Sequence, residues 1–399
     1  MNGAFADAYG ESLSGRLVKA RSGASDYWAF VPNALPPAIV FTEELSRVLS
    51  QANIEVGRLS GIGSLLANPT LLIRPYIARE AVLSSRIEGT QSSLADLFFY
   101  EAAERSPNGR TDTNRDGRYS DVREVANYTK ALRFGIERLN KLPISLRFVR
   151  ELHAILMEGV RGENKTPGEF RNLQNWIGSR GNALHEAQYV PPPPREMIPA
   201  LDAWEKYLHT DSRLPVLIDC ALMHYQFEAI HPFLDGNGRI GRLLIPLILV
   251  DWRVLAQPLL YLSVYFERYR DDYYRSLADV GRCGDWDGWL RFFLRGVYLQ
   301  ASDAIRRTER LLNLQADYRE RVANVSRSAN AVRLIELAFQ SPIITVPMVV
   351  REFGITQPGA KGLCDRLVDV GILEPLDGPR RPRLFRATEI LRVLDENLP

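Results

Sequence analysis

The densest chemical content of the chain lies in Ala229-Ile230-His231-Pro232-Phe233-Leu234-Asp235-Gly236-Asn237-Gly238-Arg239-Ile240-Gly241-Arg242. Apolar residues at helical spacing precede it (Ile218, Ala221, Leu222, Tyr225) and follow it (Leu243, Leu244, Ile248), so a tight loop joins two buried helices. Gly236 and Gly238 permit positive φ and close backbone approach to a ligand. The loop feeds a helix N-terminus, where free N–H groups and the helix dipole favour an anion. Arg239 and Arg242 stand at i and i+3, so both guanidiniums are expected along one face, a better match to a polyphosphate than to one carboxylate. Asp235 is an acid among groups that attract anions, which a bridging Mg²⁺ would explain. His231, at the loop entrance, is the natural general base near neutral pH. Taken singly, each residue type is ordinary in a structural turn; their joint occurrence points to chemistry.

Other phosphate and metal signatures are missing. There is no GxxxxGK[ST] loop, no GxGxxG after a strand pattern and no HExxH helix. Glu228-x-x-His231 has the spacing of half a di-iron carboxylate site, but such bundles need two Glu-x-x-His pairs and the chain supplies one.

His231 to Arg242 fills every defined position of the HPFx[D/E]GNGRxxR signature, and on it the chain resembles Fic-domain proteins. Pro167-Gly168-Glu169-Phe170-Arg171 and Val190-Pro191-Pro192 resemble the flap region of that family, and Leu260-Tyr261-Leu262-Ser263 through Tyr273-Tyr274 the helix after the motif. The resemblance covers most of residues 40 to 300. It implies transfer of AMP from ATP to a Ser, Thr or Tyr hydroxyl of a protein, with release of pyrophosphate. By position, His231 would deprotonate the target hydroxyl and Asp235 would hold Mg²⁺ between the α- and β-phosphates. Asn237, with the N–H groups of Gly236 and Gly238, would form the anion hole. Arg239 and Arg242 would bind the β/γ side of the triphosphate. Such sites work mainly by positioning and charge stabilisation. Phe233 would anchor the loop by packing. The flap, Asn172 to Val190, would dock an extended target segment by strand addition, and Asn164 to Arg171 would shape the mouth. Tyr273 and Tyr274 would flank the adenine, or else simply pack.

A second signal is Ser84-Ser85-Arg86-Ile87-Glu88-Gly89, where Ser84 and Glu88 share a helix face at i and i+4. Glu88 stands in the last helical turn, where the negative dipole end costs an unpaired carboxylate roughly 0.3–1 kcal/mol. By itself it reads as a solvated glutamate or a local pair with Arg86. The segment also matches the [S/T]xxxE[G/N] inhibitory motif of the family. The resemblance then implies that Glu88 reaches Arg242, occupies the γ-phosphate position and leaves ATP bound unproductively. It equally allows Glu88 to orient water for hydrolytic removal of AMP.

The elements that must position these residues are mainly helical. Residues 1–35 read as an irregular arm. Residues 36–118 read as an N-terminal helical domain, with an N-cap at Thr42 and a helix from Pro75 to Gly89 that carries Glu88. Arg105 to Arg118 reads as an exposed boundary loop. Residues 119–312 form the catalytic block: helices from Ser120 to Leu139 and Leu146 to Gly159, a hairpin-like flap over 166–194 ending in four prolines, then helices from Arg195. Residues 313–399 follow as a linker helix and a winged helix: helices over 329–339, 346–353 and 357–370, then two strands flanking a Gly-Pro-Arg-Arg turn. The expected fold is thus mainly α, a Fic-type helical core with a short β-hairpin flap, an N-terminal helical region and a C-terminal winged helix-turn-helix.

Composition bounds the rest. Apolar residues are 46% and charged residues 25% of 399, an ordinary globular balance. The net charge of +2 provides no global field for a polyanion. The longest apolar run, Leu243 to Val250, is far short of the ~20 residues that span a bilayer, and no secretory leader pattern opens the chain. Three scattered cysteines, Cys220, Cys283 and Cys364, suit a reducing cytoplasm. Expected partners are a protein target bearing a hydroxyl, the chain itself as a target, and a second copy in a homodimer. The tail over 328–399 is neutral in sum, yet Arg380, Arg381, Arg383 and Arg386 cluster at the wing, which admits DNA as a partner. The alternatives are therefore a DNA-binding regulator whose core senses ATP, and a core using another donor such as a different nucleotide or phosphocholine.

Overall fold

The computed structural model describes residues 2–10, 12–22, 25–66, 68–104, 117–162, 164–178, 184–212, 214–326, 328–376 and 383–396. The chain opens with α1 (Gly3–Tyr9) and the hairpin β1 (Gly15–Ser22) and β2 (Ser25–Pro32), paired antiparallel from Gly15↔Pro32 to Ser22↔Ser25. This replaces the irregular arm expected over 1–35. The run Tyr27-Trp28-Ala29-Phe30-Val31 is apolar throughout, so β2 needs partners on both faces, and Tyr27, Ala29, Phe30 and Val31 are buried.

Four helices follow: α2 (Glu43–Leu65), α3 (Thr70–Ile87), α4 (Leu94–Glu104) and α5 (Gly117–Leu139). Thr42 caps α2 by accepting the Leu45 N–H at 3.1 Å. The α3 helix starts before Pro75, which lies inside it. A proline this near an N-terminus removes few backbone bonds, and burial of Leu71, Leu72, Tyr76 and Ile77 holds the extra turn. Gly89, at φ +94°, ends the segment as expected. The expected boundary loop falls largely on residues 105–116, outside the described residues; 117 and 118 belong to α5.

Next come α6 (Leu146–Leu156), α7 (Pro194–Leu208), α8 (Val216–Ile230), α9 (Asn237–Asp251), α10 (Ser263–Arg268), α11 (Arg270–Cys283) and α12 (Trp286–Ala323). The central pair α8 and α9 is buried on almost every side, which explains its near-continuous apolar sequence. Indole N–H groups tie neighbours to α8: Trp204 of α7 donates to the Met223 carbonyl at 3.1 Å and Trp289 of α12 to the Ala221 carbonyl at 3.0 Å. The flap is less regular than the hairpin expected. It has one antiparallel bridge, Ile177↔Tyr189, and a short 3₁₀ turn over Leu184–Glu186. Its edge at Val190 bonds to β2 instead, Phe30 N–H to Val190 carbonyl at 2.9 Å.

The tail comprises α13 (Ala329–Gln340), β3 (Ile343–Thr345), α14 (Val346–Phe353), α15 (Gln357–Asp369), β4 (Glu374–Leu376), β5 (Leu384–Arg386) and α16 (Thr388–Asp395), with sheet order β3-β5-β4. The three helices α13 to α15 and the strands β4 and β5 fall where the sequence placed them, with β3 added as a third strand of the sheet. Arg380 and Arg381 lie outside the described residues, while Lys361 pairs with Asp365 at 2.7 Å and Arg386 with Glu374 at 3.1 Å. The α12 helix runs unbroken across position 312, and one apolar cluster extends from Leu45 to Leu394. The blocks therefore share a core. Helices α13 and α16 pack against α3, the helix that ends at Glu88. Among the described residues no helix is long and apolar enough to cross a membrane.

Candidate active site

The loop from His231 to Gly236 is held open by specific backbone conformations. His231 ends α8 at φ 51°, ψ 60°, and Gly236 starts α9 at φ 78°. A left-handed histidine is costly, about 1 kcal/mol or more, and needs outside support. Arg171 supplies it. Its Nε donates to the His231 carbonyl at 2.9 Å, and its other nitrogens reach the carbonyls of Ile230 (3.4 Å), Pro192 (2.5 Å) and Leu173 (3.3 Å). One guanidinium, 2% exposed, thus fastens the end of α8 to both sides of the flap.

His153 of α6 performs a similar task on the far side of the loop. Its Nδ1 accepts the Gly168 N–H at 2.9 Å, so Nε2 carries the proton and donates to the Asp235 carbonyl at 3.0 Å. Its ring stacks on Phe233 at 3.8 Å, confirming Phe233 as an anchor. Asn237 departs from its expected role. Its Oδ1 accepts the Phe233 N–H and its Nδ2 donates to the Phe233 carbonyl, both at 2.8 Å. Its amide closes the loop, and the Gly236 N–H is taken by Asp235 Oδ1, so an anion would meet the backbone N–H groups of Asn237 and Gly238 at the α9 N-terminus.

The two arginines diverge, against the expectation of one shared face. Arg239 turns to α5, where the buried Glu124 receives it at 3.2 Å, and lies 3.8 Å from Asp235. A carboxylate as buried as Glu124 requires a counter-charge. Arg242 turns to α3. Its Nε donates to Ser84 Oγ at 2.9 Å, and one terminal nitrogen bonds the Ser84 carbonyl at 2.9 Å and Glu88 Oε1 at 2.7 Å. Burial alone would raise the Glu88 carboxyl, but Arg242 holds it below the usual carboxylate range. Gly238 makes this approach possible: a Cβ there would stand 2.5 Å from Glu88 Oε1. The Ser84–Glu88–Arg242 contact is thus present as geometry.

His231 is half-buried, and burial followed by the Arg171 charge pushes its imidazole down to about 4. It is neutral near pH 7, the form a base needs. Asp235 accepts the Gly236 N–H at 2.7 Å through Oδ1, while Oδ2 faces Lys165 Nζ at 3.9 Å. No group of three or more metal-ligating side chains occurs among the described residues. One partly exposed carboxylate, with a cation already near it, fits a magnesium ion shared with substrate phosphates rather than an all-protein cage.

Next to the C-terminal end of α8 lies a cleft of about 530 Å³, in the roughly 300–1,000 Å³ range of small-molecule sites. Tyr274, Tyr189, Ile177, Ala229 and Glu228 are among its lining residues. Glu228 Oε1 is buried without a hydrogen-bond partner among the described residues, and burial pushes its carboxyl up to about 7. Of the two tyrosines expected beside a base, Tyr274 faces this cleft and Tyr273 does not. Tyr273 is 1% exposed, stacks on Phe266 at 4.3 Å and donates to His224 Nε2 at 2.8 Å. Adjacent helix positions differ by about 100°, so one lines the cleft while the other enters the core.

Sequence reasoning missed Arg171 as a clamp, and also His153 and Glu124; Glu228 drew notice only for its spacing to His231. The three missed residues act across a long separation, and none carries a local spacing signal. The one available hint was arithmetic: an arginine and a histidine in segments otherwise suited to burial.

Comparison with known proteins places this geometry. Residues 46–137 match the Fic/DOC family N-terminal profile and residues 143–249 the Fic/DOC family profile. The protein adenylyltransferase Fic of Drosophila erecta is 29% identical over 210 residues, 50% of this chain and 39% of that protein. That of Drosophila virilis is 36% identical over 115 residues, 28% and 21% of the two chains. The chain thus matches about two fifths or less of these relatives' length. A crystal structure of a Fic family protein from Desulfovibrio desulfuricans G20 superposes with a TM-score of 0.54 at 20% identity, covering 88% of this chain and 98% of that one. At that identity the likeness establishes the fold.

Proposed function

We propose that this chain, a member of the Fic/DOC family, is a protein adenylyltransferase restrained by its own Glu88. The observation that carries the reading is the hydrogen bond from Arg242 to Glu88, at 2.7 Å, above a loop shaped for phosphate. ATP would lie with its base in the 530 Å³ cleft and its phosphates over the α9 N-terminus. Neutral His231 takes the proton of a Ser, Thr or Tyr hydroxyl of the target. The freed oxygen attacks the α-phosphorus, the bond from that phosphorus to the bridging oxygen breaks, and pyrophosphate leaves. Backbone N–H groups at the start of α9 hold the charge that develops on the phosphoryl oxygens. Asp235 would hold Mg²⁺, which neutralises the phosphates when bound.

Arg242 has a role only when Glu88 releases it. In the observed state the carboxylate occupies the donor that a terminal phosphate needs. Arg239, committed to Glu124, orders the loop rather than the triphosphate. The test is incubation with α-labelled ATP, Mg²⁺ and either the chain alone or a lysate. Glu88→Gly should incorporate more label than wild type, and adding His231→Ala should remove it. Label equal in both variants would overturn the assignment of His231. The same Glu88 carboxylate, 36% exposed and close to the α9 N-terminus, would orient water for AMP removal, and release of label from a pre-modified target reads that reaction.

A further inference from the structure

Residues 2–32 are built into the cleft rather than appended to the chain. The module has its own small core, where Phe5, Tyr9, Tyr27 and Phe30 pack with Ala187 and Val190 of the flap. Asn2 pins it by exchanging two hydrogen bonds with the Trp28 backbone, at 3.0 and 2.8 Å. Tyr27 ties it to the flap through Gln174 at 2.9 Å.

Tyr9, the last residue of α1, stands at the centre of this contact. It is 2% exposed, stacks on Phe5 with centroids 4.5 Å apart and lies 6.0 Å from the Tyr189 ring. It also reaches across to α11. The Arg282 guanidinium sits 5.8 Å over its ring, and a Cβ on Gly281 would come within 2.9 Å of Tyr9 Cε1. A glycine at that helix position is what lets the ring seat. Tyr9, Gly281 and Arg282 together form part of the wall of the cleft that Glu228 bounds at the α9 side.

We propose that Tyr9 is a specificity-determining residue, closing the cleft wall remote from the phosphate loop and so setting which nucleobase fits. The inference rests on the reading of this cleft as the nucleotide site. Phosphates held at the α9 N-terminus direct the base outward along the cleft, toward Tyr274 and Tyr9. A rigid aromatic wall discriminates by shape, and an apolar pocket change of this kind shifts selectivity about tenfold or more. Truncating the ring opens the wall, so a base of different size or edge chemistry is tolerated.

The test is calorimetric binding of ATP, GTP and CTP, each with Mg²⁺, to the full chain and to Tyr9→Ala, Tyr9→Leu and Tyr9→Phe. Melting temperatures are recorded in parallel, and Tyr9→Leu keeps an apolar filler should alanine unseat the module. The wild type should prefer ATP. Tyr9→Ala and Tyr9→Leu should lose about tenfold in ATP affinity and compress the ATP-to-GTP and ATP-to-CTP ratios. Tyr9→Phe should keep both. In AMP transfer the same variants should raise KM with kcat held within about twofold. A fall in melting temperature with unchanged base ratios would assign Tyr9 to structure alone and overturn the proposal. A wild type that binds no nucleotide would instead overturn the reading of the cleft on which it rests.

Discussion

Glu88→Gly is the perturbation whose outcome the structure sets most directly. It deletes a 2.7 Å charge-assisted hydrogen bond to Arg242, whose side chain is 1% exposed, from a carboxylate side chain that is 36% exposed. Breaking a fully buried pair costs about 3–5 kcal/mol, and an exposed pair is worth about 0–1 kcal/mol. A pair with one partner buried and the other at the surface lies between, at about 1–3 kcal/mol after solvent screening. That energy is what a terminal phosphate must overcome to win Arg242. At about 1.4 kcal/mol per tenfold, removing Glu88 should raise AMP incorporation roughly 5- to 150-fold at subsaturating ATP. The nucleotide-free protein should melt a few degrees lower, because Arg242 keeps its two bonds to Ser84 but loses its counter-charge. Added ATP should restore more stability to the variant than to wild type. The assay is incorporation of α-labelled ATP beside thermal melts with and without nucleotide. Incorporation equal to wild type, with unchanged ATP stabilisation, would refute the competition. Glu88→Gln, which keeps the shape and drops the charge, should fall between the two.

Other outcomes follow from the same geometry. His231→Asn should tolerate the left-handed backbone at φ 51°; it should abolish transfer and leave ATP affinity within a few-fold, measured by calorimetry. Arg171→Lys replaces a fork that reaches four carbonyls with a single point charge; kcat should fall more than KM rises, and stability should drop by about 1–3 kcal/mol. Asn237→Ala removes both bonds that close the loop on Phe233; urea denaturation should show about 1–3 kcal/mol lost, and phosphate affinity should fall with it. Burial pushes His153 down to about 4 and His224 down to about 3. Between those values and the ordinary 6.5 the unfolded chain binds more protons, so stability rises with pH through this window. At pH 5 each histidine should withdraw about 2 kcal/mol relative to neutral pH. His153→Asn should flatten the urea midpoint between pH 7 and pH 5, and an unchanged slope would remove His153 from the account.

Much of the candidate site was legible because it is local. The HPFLDGNGRIGR run states its own glycines, base and acid within one loop, and Ser84 to Glu88 states a shared helix face. The helices around them follow from apolar periodicity and from caps such as Thr42, found accepting a backbone N–H. Spacing determined that Arg239 and Arg242 are neighbours on α9, but not where their guanidiniums go. That depends on Glu124 and Glu88, carried by helices far away in sequence, and a buried cation turns toward the acid that neutralises it. The same limit applies to Tyr273, which its position on α11 could have directed either into the cleft or into the core.

The N-terminal residues mark the boundary most clearly. Their sequence has little periodicity of its own, and a two-stranded hairpin is marginal in isolation. It becomes structured because Phe5, Tyr9 and Phe30 pack with Ala187 and Val190 of the flap, and Tyr9 seats against Gly281 and Arg282 of α11. Sequence alone therefore determined the chemical vocabulary of the site and the helices that carry it. Only tertiary structure decided which charges pair, which tyrosine enters the cleft and what closes its outer wall, because those outcomes depend on burial shared between distant segments.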